Sequence, residues 1–149
     1  MRRFLFLVTI AFISILTTSC KEDEEFEPIA QNTSIIGQWD LTKSIDEIEQ
    51  NGESSKITTD YPDEDGYYTS YIFKENNDAI YIQNNSLDVE KSIAYMIKYH
   101  VDGDTLVIGS GKETRYTIVL INETNLVLSN TYKNGEQTIQ STDIYIRKK

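Results

Sequence analysis

The sequence predicts an all-β domain, an antiparallel meander of about eight strands that closes into a barrel. From Ser34 onward, apolar and polar residues alternate at period two, which is typical of half-buried strands. Asn, Asp and Gly interrupt the alternation at short intervals, so successive strands are expected to pair as hairpins. A meander of short-linked strands leaves two exposed edges unless it closes, and closure into a barrel removes both.

The first strand is predicted from Ile35 to about Glu47, where Trp39 and Leu41 alternate with polar neighbours. Asn51-Gly52 follows and predicts a hairpin turn, because both residue types tolerate positive φ. The same two signals predict the remaining strands, at residues 54–59, 67–74, 79–83, 91–101, 105–109, 113–121, 126–132 and 137–147. No stretch of the sequence has a helical pattern strong enough to predict a helix.

The first 20 residues differ in kind from the rest. Arg2 and Arg3 precede an apolar run of 13 residues, Phe4 to Leu16, and small residues then lead to Cys20. This is the layout of a secretion signal, and the run is too short for a transmembrane helix, which needs about 20 residues. We therefore predict that residues 1–19 are a cleaved signal peptide.

Cys20 is the only cysteine in the chain, so it can form no internal disulfide. The sequence Leu16-Thr17-Thr18-Ser19-Cys20 resembles the bacterial lipobox, although Thr17 stands where that motif usually has a large aliphatic residue. The resemblance implies that Cys20 is lipidated, and two or more acyl chains, palmitate among them, would hold the protein stably in a membrane. A plain secretory signal with a stray thiol is the alternative.

Residues 20–33 are predicted to be a disordered tether between the lipid and the domain, because they are highly charged and poor in apolar residues. The run Lys21-Glu22-Asp23-Glu24-Glu25 resembles an export tag that sends lipoproteins to the outer face of the outer membrane in certain Gram-negative bacteria. A plain solvated spacer is the other interpretation. Either way, we expect a lipid-anchored outer-membrane protein, exposed at the cell surface if the tag is functional.

The charge of the chain excludes some partners. All 24 acidic residues follow Cys20 and two of the 14 basic residues precede it, so the mature chain has a net charge of −12. Such a surface repels nucleic acid and anionic lipid headgroups, so the predicted contact with the membrane is through the lipid anchor alone.

The strand that follows the tether contains Gly37-Gln38-Trp39, and the chain ends with Asp143-Ile144-Tyr145-Ile146-Arg147-Lys148-Lys149. These two segments resemble the lipocalin-like domain of small bacterial lipoproteins, which opens with a Gly-x-Trp strand and ends in a hairpin rich in aromatic and basic residues. The resemblance covers residues 34–149. It implies that Gly37 allows a close backbone approach at the barrel floor, and that Trp39 packs there beneath Arg147 or Arg115. These are structural roles.

Ten tyrosines and a single phenylalanine follow the tether, so the buried aromatic surface is expected to carry many hydroxyl groups. Besides Trp39, the aromatic residues that alternation places on inward faces are Tyr71, Phe73, Tyr95, Tyr99 and Tyr116. They are the candidate lining of a pocket for a small hydrophobic or amphiphilic ligand. They could equally form a packed core, since a small eight-stranded barrel can fill itself.

Catalysis and metal binding are not predicted. His100 is the only imidazole and lies on the polar face of its strand, so no nucleophile has an adjacent histidine base. The loop from Asp60 to Gly66 holds clustered carboxylates, but its spacing does not match a calcium loop, because Tyr61 and Ile72 occupy the positions that need acidic ligands. We therefore predict no catalytic residue, metal or cofactor.

The resulting hypothesis is a monomeric, membrane-anchored lipoprotein whose lipocalin-like domain binds a small hydrophobic or amphiphilic molecule without catalysis. Ligand binding here is implied by the family resemblance, not by the residue pattern. The alternative is a surface interaction module with a filled barrel, which contacts an envelope protein or a glycan through its outer face or loops.

Overall fold

The structure, a computed structural model, describes residues 34–149. The signal peptide, Cys20 and the tether, predicted for residues 1–33, lie outside the described residues. Within residues 34–149 there are nine strands: β1 (Gly37–Gln50), β2 (Glu53–Asp60), β3 (Tyr67–Phe73), β4 (Asp78–Asn85), β5 (Ile93–Asp102), β6 (Thr105–Ile108), β7 (Thr114–Ile121), β8 (Asn125–Asn134) and β9 (Gln137–Arg147). A single 3₁₀ turn, Val89–Lys91, precedes β5. The predicted all-β meander is confirmed.

Pairing between the first and last strands closes the barrel. Consecutive strands from β3 to β9 pair antiparallel. Residues 39–49 of β1 then pair with residues 138–147 of β9. Along its other edge, β1 pairs first with β3, through residues 37–40, and then with β2, through residues 43–50. Eight strands therefore form the ring, and β2 extends the sheet beyond it.

The barrel has a closed and an open end. The floor is the end where β1 begins and β9 finishes; the mouth is the opposite end, where the loops 61–66 and 86–92 lie. The floor half is filled by the interior side chains of nearly every strand. The main buried residues there are Trp39, Leu41, Phe73, Ala79, Tyr99, Leu106, Ile118, Leu126 and Leu128. No helix in residues 34–149 has the length and hydropathy needed to cross a bilayer.

A β-bulge at Thr42 bends β1 halfway along its length. Leu41 pairs with Tyr145 and Lys43 with Ile144, so Thr42 is the extra residue, and its Oγ1 donates to the carbonyl of Ile144 at 3.0 Å. Beyond the bulge the inward positions of β1 are even-numbered, beginning with the buried Ser44. The strand thus changes from an apolar interior face near the floor to a polar one near the mouth.

The barrel wall is low on one side. The short strand β6 pairs only with residues 99–102 of β5, whereas residues 93–98 of β5 pair with β4. On this inward face of β5, Tyr95 is 50% exposed and Tyr99 only 7%. Inward-facing residues near the mouth are therefore accessible to solvent.

Candidate functional site

The floor of the barrel is closed by Trp39 and Arg147. Trp39 is fully buried and its Nε1 donates to the carbonyl of Ile35 at 2.7 Å. The guanidinium of Arg147 lies 4.2 Å from the centre of the indole ring and donates to the carbonyls of Ser34 and Ile36, both at 2.8 Å. A cation over an indole contributes about 0.5 to 2 kcal/mol. Arg147, not Arg115, therefore covers the tryptophan.

Gly37 is required where β1 meets this guanidinium. Its φ is +131°, a conformation that L side chains rarely adopt, and a Cβ atom there would lie 2.9 Å from Nη1 of Arg147. The arginine occupies the space that a side chain at position 37 would need. The three residues singled out from the sequence thus meet at the floor.

Three of the predicted pocket residues, Tyr71, Phe73 and Tyr99, belong to the packed core. Phe73 and Tyr99 are buried, and their rings meet edge to face with centroids 4.8 Å apart. The hydroxyl of Tyr99 donates to the carbonyl of Lys74 at 2.8 Å, a contact at the floor end. These two side chains fill the lower interior and line no opening that the structure shows, because the ring of strands is complete at their level.

Tyr71 also begins an aromatic wall that rises from this core towards the mouth, where the two remaining predicted residues, Tyr95 and Tyr116, lie. The ring of Tyr71 contacts those of Phe73, Tyr81 and Tyr145 at centroid distances of 5.4, 5.3 and 5.8 Å. Tyr116, on β7, is partly buried and packs against the core that contains Tyr71. The wall continues from Tyr81 to the half-exposed Tyr95, 6.4 Å away between ring centroids.

Beside this wall lies a carboxylate that the sequence analysis missed. Asp143, on β9, faces the interior of the barrel two residues before the buried Tyr145. Ser44 Oγ donates to its Oδ1 at 2.7 Å. Burial raises the pKa of Asp143, and the nearby carboxylate of Asp46 raises it further, against the opposing effect of hydrogen bonds from Ser44 and Tyr145. The signal for this site was the parity of β9, which puts Ile139, Ser141, Asp143 and Tyr145 on one face.

The tyrosines around this carboxylate remain protonated at neutral pH. Burial raises the pKa of the Tyr61, Tyr71, Tyr116 and Tyr145 hydroxyls, and the charge of Asp143 raises each of them further. Their hydroxyls can therefore both donate and accept hydrogen bonds inside the barrel.

A cleft of about 310 Å³ opens at the mouth above these groups. It is lined by Tyr61, Tyr67, Tyr68, Thr69, Gln83, Lys91 and Ile93. Thr69 and Gln83 share the inward face of Tyr71 and Tyr81. The cleft therefore lies above the aromatic wall, on the same interior face of β3 and β4. Sequence reasoning missed these lining residues, since most of them lie at strand ends and in loops.

Two other clefts lie on the hairpins that extend past the ring. One, of about 450 Å³, lies at the tip of the β1–β2 hairpin and is lined mainly by polar residues, among them Gln50, Ser55 and Gln137. The other, of about 140 Å³, lies between the β1–β2 and β8–β9 hairpins. Neither includes an aromatic side chain, so the mouth cleft is the stronger candidate for an apolar ligand.

The acidic loop 60–66 uses a carboxylate to form its turn. Asp63 Oδ1 accepts from the backbone N–H groups of Asp65 and Tyr67 at 3.1 and 2.7 Å. No group of three or more His, Cys, Asp or Glu side chains in residues 34–149 is arranged to hold a metal ion. His100 is exposed and pairs with Val107 on the outer face of the sheet.

Comparison with known proteins gives a family and a structural neighbour. The sequence model of a family described as a lipocalin-like domain matches residues 35–128. Among solved structures, a deswapped triple mutant of bovine odorant binding protein is similar, with 14% identity, a TM-score of 0.43 and coverage of 75% of this chain and 72% of that one. No curated protein matches the sequence. Since the family match spans more than half of the chain and the strands form a closed antiparallel ring, this chain belongs to the family of lipocalin-like domains.

Proposed function

We propose that this protein is a non-catalytic binding protein that holds a small hydrophobic or amphiphilic molecule at the mouth of its barrel. The single observation that carries the proposal is the mouth cleft, whose walls are largely apolar and which lies above the aromatic wall of Tyr71, Tyr81 and Tyr95. Its volume of about 310 Å³ is at the lower end of the range of small-molecule sites, about 300 to 1,000 Å³. A ligand of modest size therefore fits it best.

The arrangement of titratable groups supports a binding role over catalysis. His100 lies on the outer face of the barrel, whereas Asp143 faces the interior, so the two cannot act as a base and its orienting group. The buried tyrosine hydroxyls have raised pKa values, and a nucleophile or general acid working near neutral pH needs a lowered one.

We further propose that lipid on Cys20 anchors the protein in the outer membrane. Ser34, where the described chain begins, is held at the floor by Arg147, at the end opposite the mouth. The segment that would carry the lipid therefore joins the barrel at the end away from the mouth. Metabolic labelling with an alkynyl palmitate analogue tests this: the wild-type chain is expected to be labelled and membrane-bound, and the Cys20→Ser chain unlabelled and released. Equal fractionation of the two chains would contradict the anchor.

A surface interaction module is the second candidate, and one observation favours it. Leu87 and Val89, on the loop before β5, are 76% and 79% exposed, and apolar side chains so exposed are suited to contact with another protein. This function needs no occupied interior, so it predicts a protein that carries no small molecule.

Native mass spectrometry distinguishes the two functions. The Cys20→Ser chain, exported by its own host and purified without detergent, is expected to carry a small molecule. Tyr95→Ala should release that molecule, because Tyr95 borders the mouth. Met96→Ala is the matched control, since Met96 is the next residue of β5 and faces outward. An empty mass, with no response to hydrophobic dyes, would contradict ligand binding and favour the interaction module.

A further inference from the structure

The interior carboxylate of Asp143 has no cationic partner among the described residues. The four ion pairs found in residues 34–149 join Lys56 to Glu47, Lys91 to Asp88, Lys98 to Asp78 and Arg115 to Glu113. All four lysine or arginine side chains are more than half exposed. The direct contacts of Asp143 are instead with the hydroxyls of Ser44 and Tyr145, and the nearest charge acting on it is the like charge of Asp46.

The two carboxylates face the same interior space. Asp46 pairs with Ser141 and Ser44 pairs with Asp143, so both acidic residues occupy inward positions on neighbouring strands, one step apart. Burial removes hydration from the carboxylate of Asp143, and the like charge of Asp46 repels it, so a cation beside the two would relieve both effects. No side chain of the described chain supplies that positive charge.

The surroundings select the kind of cation. Tyr145 lies two residues from Asp143 on the same face of β9, its ring centroid is 5.8 Å from that of Tyr71, and the charge of Asp143 raises the pKa of both tyrosines and of Tyr116. Aromatic faces such as theirs attract organic cations. Their hydroxyl oxygens can accept hydrogen bonds from an ammonium group. A hard metal ion would need six or more oxygen ligands, whereas here the carboxylates are flanked by aromatic rings and an apolar cleft.

The route to this site favours positive charge as well. Tyr61 lines the mouth cleft, and it is close enough to Asp143 and Asp46 for both to raise its pKa. Lys91 is the cationic side chain in the cleft lining, and its ammonium is paired with Asp88 at 3.2 Å. The chain as a whole has a net charge of −10, which draws cations towards its surface.

We propose that the ligand is a small organic amine whose ammonium group docks against Asp143 and Asp46, with its apolar part along the aromatic wall and in the mouth cleft. This inference rests on the proposed binding function and specifies the chemical class of the ligand. The cleft volume of about 310 Å³ accommodates one aromatic ring or a short alkyl chain beyond the head group.

Isothermal titration calorimetry on the Cys20→Ser chain at pH 7 tests this with probes that share a body and differ in head group. The aromatic series is 2-phenylethylamine, 2-phenylethanol and 3-phenylpropanoate; the alkyl series is octylamine, 1-octanol and octanoate. In at least one series the amine is expected to bind about tenfold or more tightly than the alcohol, and the carboxylate most weakly. This comparison requires no change to the interior.

Asp143→Asn then locates the charge. It keeps the shape of the side chain and an oxygen that accepts from Ser44, so the fold is expected to persist, while amine affinity should fall about tenfold and alcohol affinity should stay the same. Asp102→Asn is the matched control, because it removes the same charge from an exposed position in β5 at the floor end. It should leave both affinities unchanged.

The outcomes separate the two proposals. Equal binding of amine and alcohol, or amine binding that Asp143→Asn leaves unchanged, would overturn the cationic ligand and leave a hydrophobic-ligand protein. Binding of none of the six probes would overturn the amine inference as well. Only that result together with an empty native mass would also overturn the proposed binding function.

Discussion

Asp143 and Arg147 occupy inward positions on the same strand, four residues apart, and their charged groups have different kinds of neighbour. Arg147 lies over an indole ring and donates to two backbone carbonyls, so its charge is well accommodated at the floor. Asp143 lies among hydroxyl groups and near a second carboxylate. At the scale of residues, the cation at the floor therefore has partners for both Nη atoms, whereas the carboxylate above it has no cationic partner. We attribute the contacts of Arg147 to a structural role at the floor, and the unpaired charge of Asp143 to the proposed ligand binding above it.

The stability of the unliganded protein should reflect this uncompensated charge. The pKa of Asp143 is raised in the folded state, so its ionised form is destabilising: the penalty is complete above the folded-state pKa and declines as the pH falls through it. It vanishes below the unfolded value, close to 3.8. Asp143→Asn should therefore be more stable than the parent chain at pH 7.5, with a difference that shrinks towards pH 4.

Urea unfolding, followed by the fluorescence of Trp39, measures this difference. Both chains are Cys20→Ser and free of ligand, and the effects of the other carboxylates largely cancel in the comparison. Asp102→Asn serves as the control and should not reproduce the pH-dependent gain, because its carboxylate is exposed. A loss of stability in Asp143→Asn at pH 7.5 would show that the carboxylate is stabilised by groups other than those described.

At the scale of elements, β2 and β3 differ although both pair with β1. β3 has β4 on its other side, whereas β2 ends the sheet, with seven of its eight residues exposed. An exposed strand with one partner opens locally at a lower free energy than a strand within a ring. Amides in residues 53–60 should therefore exchange with solvent deuterium at least tenfold faster than those in residues 67–73.

Hydrogen exchange with mass spectrometry measures both segments in a single sample, so each serves as the reference for the other. Equal protection of the two would mean that β2 is covered by another segment or by a second molecule. Protection of β2 that appears only at high protein concentration would identify that cover as a second copy of the chain.

The strands could be predicted from sequence to within a few residues, because alternation and turn residues are local signals. Asn51-Gly52, for example, forms the predicted hairpin turn, with φ values of +55° and +80°. Site accessibility could not be predicted in the same way. Tyr95 and Tyr99 have the same inward parity. Tyr99 is buried because the short strand β6 pairs with β5 beside it, whereas Tyr95 is half exposed because β6 does not extend that far. The bulge at Thr42 likewise reverses the parity of β1, which brings Ser44 to Asp143.

At the scale of the whole molecule, the barrel is a ring of strands, and the two ends of the described chain, Ser34 and Lys149, both lie at the floor. The backbone N–H of Lys148 donates to the carbonyl of Gln38 at 2.9 Å, and Arg147 holds Ser34 through its side chain. A ring of antiparallel strands has no structural beginning, because every strand in it has a neighbour on both sides. The order of the strands in space, not the position of the ends, should therefore determine the fold.

A circular permutant of residues 34–149 tests this. A Gly-Ser linker of about six residues joins Lys149 to Ser34, and new ends are made between Asn51 and Gly52, in an exposed turn where a Cβ at position 52 would meet nothing. The permutant should keep the near-ultraviolet circular dichroism of the parent and lie within about 2 kcal/mol of its stability. As a control, ends opened between Val127 and Leu128, in the buried part of β8, should prevent folding. If both permutants failed to fold, the order of β1 and β9 along the chain would matter as much as their pairing. Closure of the ring would then be limited by the kinetics of folding.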